Sequence, residues 1–146
     1  MPTAGIAVRG IEAFIDLVVC YGLLYVVASI GGTTTPGGGI YLHNGPLLAG
    51  EVLCFAYYLV LEATWAATLG KFATNLRVVR ENDGGPIGWR AAFLRNLLRP
   101  IDGLVLYLVG FIAICVSPKR QRIGDKVAGT IVVRLQAASP TAAEKP

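Results

Sequence analysis

Residues 9–30 read RGIEAFIDLVVCYGLLYVVASI, and the apolar part of that stretch, Gly10–Ile30, runs for 21 residues. About 20 helical residues at roughly 1.5 Å each cross a hydrocarbon core of ~30 Å. Leu47–Leu69 is a second apolar run of sufficient length. The 146-residue chain is 54% hydrophobic and 15% charged, against about a quarter charged in an average globular chain. A soluble domain of this size would leave too much apolar surface in water, whereas lipid accepts it. The first run also invites reading as a secretory leader. It carries Glu12 and Asp16 inside it, has only Arg9 ahead of it and is long for a signal's apolar region. It is therefore expected to stay and to span.

Between the two runs, GGTTTPGGGIYLHNGP is rich in residues that favour turns over regular structure, and its lone His43 reads as a loop residue. Leu76–Arg80 and Gly129–Arg134 are β-branched runs, and Glu81–Pro86 is a turn cluster. These two short strands are expected to pair outside the membrane, since single strands would leave backbone groups unsatisfied. Residues 1–134 read as one membrane domain and 135–146 as a disordered tail. Cys20, Cys54 and Cys115 all lie in apolar runs with no CxxC pair, which reads as small buried hydrophobes rather than disulfides or a zinc site.

The topology is the hard part. Ile87–Pro100 interleaves Trp89, Phe93, Leu94, Leu97 and Leu98 with Arg90, Arg95 and Arg99, a basic amphipathic helix suited to the headgroup layer. Ile101–Ser117 is strongly apolar but only 17 residues long, at the lower limit for a span. Two crossings from a cytoplasmic N-terminus put the basic stretch Lys71–Arg99 inside, as the positive-inside rule asks. A third full crossing would put Lys119–Arg122 outside and separate the two strands. A re-entrant hairpin, Ile87–Pro100 leading in and Ile101–Ser117 returning, avoids both conflicts and is preferred to a third span. The fold expected is an all-α membrane protein with two full transmembrane helices, an amphipathic helix, a third apolar helix (re-entrant or spanning) and a short two-stranded extramembrane β element.

The informative residues are the charges inside the apolar runs, since an ionised group at mid-bilayer costs roughly 2.5–3.5 kcal/mol. Arg9, Glu12 and Asp16 share one face of a helix, with Asp16 about 10 Å deeper than Arg9. RGIEAFID at Arg9–Asp16 is echoed by RNLLRPID at Arg95–Asp102. Crossed pairing, Asp16 with Arg95 or Arg99 and Asp102 with Arg9, would hide these charges at a helix contact. Glu51 and Glu62 lie on nearly one face of the second helix. Glu51 is near the outer end and wet, while Glu62 needs a partner or a proton. Two readings of Asp16, Glu62 and Asp102 compete: ion pairs that fix helix register, or carboxylates that exchange protons or cations along a path.

The chain resembles the RDD family of small membrane proteins, named for an Arg and two Asp. The resemblance rests on Arg9-x6-Asp16, Thr68-Leu69-Gly70-Lys71, Leu76-Arg77-Val78-Val79, Arg95-Asn96-Leu97-Leu98-Arg99 and the block Gly124-Asp125 to Val133, in that order. Arg9 and Asp16 match the name-giving Arg and first Asp, and Asp125 is preferred to Asp102 as the second. There Asp125 would lie outside the membrane beside Lys119, Arg120 and Arg122 and anchor the strand-bearing segment. Ala67, Phe72 and Asn75 depart from the family pattern, with effects expected on local packing. The localisation expected is the bacterial plasma membrane (the cell inner membrane), multi-pass, and the placement of basic residues puts the N-terminus and basic loops on the cytoplasmic side. Transport is the activity usually attached to the family, including sodium/proton antiport in some members.

No catalytic set, cofactor motif or metal-ligand spacing stands in the sequence, and no basic stripe with exposed aromatics for nucleic acid. No enzyme activity, cofactor, metal or nucleic-acid partner is expected. Two functions remain, the first the sharper expectation and the second its alternative. One is a secondary transporter exchanging cations such as sodium for protons, with Asp16 as its carboxylate. The other is an accessory or scaffold subunit packed against a larger membrane complex. The partners expected are the lipid bilayer and either further copies of the chain or such a complex.

Overall fold

The structure, a computed structural model, describes the backbone over residues 3–102 and 108–135, and side chains over 3–100 and 112–135. Helix α1 (Ile6–Gly31) and helix α2 (Asn44–Trp65) are each long and apolar enough to cross a bilayer. They lie antiparallel: Gly31 neighbours Pro46, Leu24 neighbours Gly50, and Asp16 reaches Tyr57. At Gly50 an added Cβ would fall 2.5 Å from a Leu24 methyl, the small-residue contact that lets membrane helices approach closely. Only 11% of the most apolar window of α1 and 17% of that of α2 is buried within the chain. A soluble core helix hides most of such a surface; Phe14, Tyr21, Tyr25 and Ile30, all exposed, call for lipid instead.

The link between the helices is more regular than its composition implies. β1 (Thr33–Thr34) and β2 (Ile40–Tyr41) form a minimal antiparallel hairpin. The turn is closed by Thr35 N–H donating to the Gly39 carbonyl and by Gly39 N–H donating to the Thr35 hydroxyl. His43 sits in this loop, beside the Thr33 hydroxyl and the Tyr41 ring.

A second difference decides the site. The apolar run through Leu69 is not one helix: α2 stops at Trp65, and Ala66 takes a left-handed φ of 57° while its N–H still bonds the Glu62 carbonyl. The chain turns there, Thr68 caps the short helix α3 (Leu69–Ala73), and α3 packs back on α1. The remaining elements are β3 (Leu76–Arg80), α4 (Gly88–Leu97), α5 (Arg99–Asp102), α6 (Leu108–Val116), α7 (Ile123–Val127) and β4 (Thr130–Arg134).

As the β-branched runs imply, β3 and β4 pair, antiparallel, from Leu76 opposite Arg134 to Arg80 opposite Thr130. Ala4 N–H also donates to the Val132 carbonyl at 3.0 Å. The start of α1, the end of α2 and both strands therefore sit at one end of the helix pair. A small apolar core of Ala4, Leu76, Val78, Ile87, Ala92 and Val132 joins them. The pleat makes this possible, because Leu76 and Val78 share one face of β3 with Arg77 on the other.

Helix α4 is amphipathic as expected, but its basic face is turned inward. Ala92, Arg95 and Asn96 are buried, while Trp89, Phe93 and Leu97, one turn apart each, are about half exposed. A water-soluble helix does the reverse; this arrangement suits a helix with lipid outside and charges inside. Only Arg90 of the interleaved arginines faces outward.

The apolar run expected over 101–117 lies partly outside the described residues. α5 ends at Asp102, residues 103–107 lie outside the described residues, and α6 has nine residues, about 14 Å at helical rise. The tail expected over 135–146 lies outside them beyond Leu135. Cys20 is buried and Cys54 half-buried, but Cys115 is exposed on α6, contrary to the expectation of three buried thiols.

Candidate functional site

Spacings of three and four place Arg9, Glu12 and Asp16 along the inward face of α1, and all three are at most 3% exposed. The turn at Ala66 then brings α3 across that face. Lys71, itself 1% exposed, stands between two helices with its Nζ 2.7 Å from Glu12 Oε1 and 3.1 Å from Glu62 Oε1. Glu62, in the last turns of α2, has its second oxygen 3.2 Å from Arg95 Nε and accepts from Asn96 Nδ2 at 3.1 Å. Arg99 Nη2 approaches Glu62 Oε1 at 3.4 Å.

Arg95 continues the chain of charges. Its Nη1 lies 3.0 Å from Asp125 Oδ1 and donates to the Thr130 hydroxyl at 3.0 Å. Arg9 Nη2 takes the other oxygen of Asp125, also at 3.0 Å, and its Nη1 donates to the Arg120 carbonyl. The two arginines of the echoed phrase thus meet on one carboxylate. The Arg122 backbone N–H donates to Asp125 Oδ2 at 3.1 Å, and its guanidinium lies 3.9 Å from Glu12 Oε2. One unbroken set of ion pairs joins α1, α2, α3, α4 and α7.

Asp16 is placed differently from the expected pairing with Arg95 or Arg99. Its Oδ2 accepts from the Thr68 hydroxyl at 2.6 Å, and its Oδ1 accepts from the Tyr57 hydroxyl at 2.8 Å and from Gly70 N–H at 2.9 Å. Leu69 N–H donates to Tyr57 Oη at 3.1 Å, and Lys71 N–H to Thr68 Oγ1 at 3.4 Å. The first three N–H groups of α3, which no helical carbonyl can satisfy, are thus all satisfied from this one patch. Asp16 caps a neighbouring helix, where its negative charge also meets the positive end of the helix dipole. Arg9 likewise departs from the expected partner: it binds Asp125 and the Arg120 carbonyl, and the Asp102 side chain lies outside the described residues. Of the basic residues expected beside Asp125, Arg122 is there and Arg120 contributes its carbonyl to Arg9, but Lys119 pairs with Glu81 instead. Glu51 is exposed at the far end of α2.

Burial alone would raise the Asp125 carboxyl, but the charges of Arg95, Arg9 and Arg122 outweigh it and hold it at about 2, below its ordinary 3.8. A lowered folded value contributes stability that is complete above the unfolded value and disappears as the pH falls through the folded one. The stability gap between the native chain and Asp125→Asn is therefore expected to be constant above about pH 4 and to narrow as the pH falls through about 2, read as unfolding midpoints in detergent.

Gly70 is the tightest point of the site. A Cβ there would lie 2.9 Å from Asp16 Oδ1 and closer still to the Glu12 carbonyl oxygen. Gly70→Ala is expected to destabilise by about 1–3 kcal/mol, the usual cost of overpacking, whereas Gly10→Ala, where nothing lies within 4 Å, stays near the native value. Equal effects in a thermal-shift comparison would contradict the close approach of α3 to α1.

Several of these residues gave no sign of their partners in the sequence. Lys71 was legible as part of a motif but not as the link between two acidic helices, because that depends on the turn at Ala66. Thr68, Asn96 and Thr130 stood in the motif blocks and Arg122 beside Asp125 without any partner being legible, and Tyr57 gave no signal at all; only the fold makes them partners.

The RDD family profile matches residues 3–129. The proline-rich antigen homolog of Mycobacterium tuberculosis, in each of two strains, is 33% identical over 72 residues, 49% of this chain and 30% of that protein. The chain thus spans less than a third of the antigen homolog's length. The uncharacterised membrane protein YteJ of Bacillus subtilis is 27% identical over 135 residues, 89% of this chain and 80% of YteJ. No solved structure matches.

Proposed function

This chain belongs to the RDD family of membrane proteins, and from that premise we propose that it is a non-catalytic accessory subunit whose buried charges lock its shape rather than carry ions. One observation supports this most directly. Arg9, Glu12, Asp16, Glu62, Lys71, Arg95 and Asp125 gather at one end of the α1–α2 pair, and every carboxylate among them is held by donors of the same chain. A conducting path needs polar groups along the depth of the bilayer. Beyond Asp16 the two helices carry one further ionisable carboxylate, the exposed Glu51. The lock ties α4, α7 and the β3–β4 sheet to α1 and α2, leaving broad apolar faces for lipid and for a larger membrane partner. Purification in mild detergent is expected to retain a membrane partner in fixed ratio. A chain that elutes alone under every mild condition would overturn the accessory role.

In this reading the N-terminus and the basic segments lie on the cytoplasmic side, and the chain between α4 and α7 dips into the membrane and returns. The pairing of β3 with β4 and of Ala4 with Val132 favours the return, because all these segments share one end of the helix pair. In a chain freed of its native cysteines, single thiols at Gly37→Cys and Pro118→Cys are expected to react from opposite faces of sealed vesicles. Reaction from the same face would mean a third full span.

A second reading has its own support. Asp16 accepts from two hydroxyls and one N–H and pairs with no cation among the described residues. That is the site a cation/proton exchanger would use.

A further inference from the structure

Cys20 and Cys54 are 34 positions apart, and no spacing in the sequence marks them as a pair. The antiparallel packing of α1 on α2 brings them to one level. Leu24 meets Gly50 at a tight point of that contact. One helical turn from each, in opposite chain directions, stand Cys20 and Cys54. The Cys54 thiol donates to the Cys20 carbonyl at 3.7 Å and hydrogen-bonds the Cys20 side chain as well. A disulfide needs its Cβ atoms about 3.5–4.5 Å apart. Side chains as short as these touch across two helices only where the backbones come close, as the small residue at Gly50 allows.

The surroundings select the chemistry. Cys54 lies at the midpoint of α2 and Cys20 close to that of α1, which puts the pair near the centre of the bilayer. Both thiols line a hollow of about 400 Å³ between the helices, walled by Leu17, Leu24, Phe55 and Tyr58. Cys20 is buried but Cys54 is only half-buried, so the pair is open to that hollow. Among the described residues no third ligand joins them as a metal site would require, which leaves chemistry between the thiols. The soluble thiols that keep cytosolic cysteines reduced are charged and stay out of hydrocarbon. An oxidant that reaches this depth must dissolve in lipid, and quinones are the class of two-electron oxidant that does.

We propose that Cys20 and Cys54 are a redox-active thiol pair that closes to a disulfide between the two spanning helices, with a lipid-borne quinone as electron acceptor. Both S–H bonds break and one S–S bond forms. The two electrons and two protons pass to the quinone oxygens and give the hydroquinone. Closure ties α1 to α2 at mid-membrane. The proposal does not depend on whether the chain is an accessory subunit or a transporter, since neither role uses the thiols.

The test uses the full chain in nanodiscs without oxygen, with Cys115→Ser to remove the exposed thiol of α6 that could bond between chains. The probe is a benzoquinone substituted at every ring carbon, which accepts electrons but cannot keep a thiol as an adduct. Peptide mapping after alkylation in denaturant reads the disulfide, and absorbance reads the hydroquinone. A Cys20–Cys54 bond and an equal amount of hydroquinone are expected, and Cys20→Ser or Cys54→Ser is expected to give neither. If both thiols of the treated chain still alkylate, the proposal is overturned, and this arm stands even if the serine variants do not fold. As much hydroquinone from Cys20→Ser overturns it too, because the electrons would come from elsewhere. Closure as fast with ferricyanide, which stays in water, overturns the assignment to a lipid-borne oxidant.

Discussion

Glu62→Gln is expected to lower the stability of the folded chain by about 3–5 kcal/mol, the cost of breaking a buried ion pair by removing one partner. Glu62 is fully buried, and its two oxygens serve Lys71, Arg95, Arg99 and Asn96 at 3.1–3.4 Å. A glutamine keeps the shape but presents an amide NH2 to cations and removes the charge they share. Equilibrium unfolding in mixed micelles, followed by helix content, reads the loss. Asp16→Asn is the contrast. Its partners are two hydroxyls and one N–H, so the amide oxygen can still accept, and about 1–2 kcal/mol is expected, in the range of one neutral hydrogen bond. If the two variants lose the same amount, the distinction between the charged network and the neutral cap at Asp16 is wrong.

Asp125→Asn is the second large effect, again about 3–5 kcal/mol. The residue is 2% exposed and holds Arg9 and Arg95 at 3.0 Å each. Because the loss comes from uncompensated charge, it should be relieved when the charges go together. The triple replacement Asp125→Leu, Arg9→Met, Arg95→Met is expected to recover much of it, since an apolar set of similar volume can replace a buried ionic one at little cost. A triple variant as unstable as Asp125→Asn would mean that Asp125 acts through something other than the two arginines.

Much of this was legible in the residues. The length of the apolar runs announced two crossing helices, and the spacing of Arg9, Glu12 and Asp16 put them on one face before any partner was known. The β-branched runs announced the sheet, whose register then draws the N-terminal segment to the same end. The echoed phrase pointed to crossed pairing, but Asp16 meets neutral donors, and Arg9 and Arg95 meet on Asp125. Asp125 is 116 positions from Arg9, and periodicity carries no information at that range.

The errors had local causes. A left-handed Ala66 is rare for a residue with a Cβ, so nothing in Ala66-Ala67-Thr68 warned that α2 would stop and α3 fold back to make Asp16 a cap. The orientation of α4 was unreadable for a different reason. Its pattern fits a helix with either face outward, and the surrounding solvent decides which. In lipid, Trp89, Phe93 and Leu97 turn out and Arg95 turns in.

The most direct test of the claim that these charges lock the fold is cation-driven proton flux in proteoliposomes holding the purified native chain, beside Asp16→Asn shown to be folded. Silence in both, with the protein intact and inserted, is the expected result. Sodium-dependent flux in the native chain that the folded Asp16→Asn variant lacks would contradict it and make Asp16 part of a transport path.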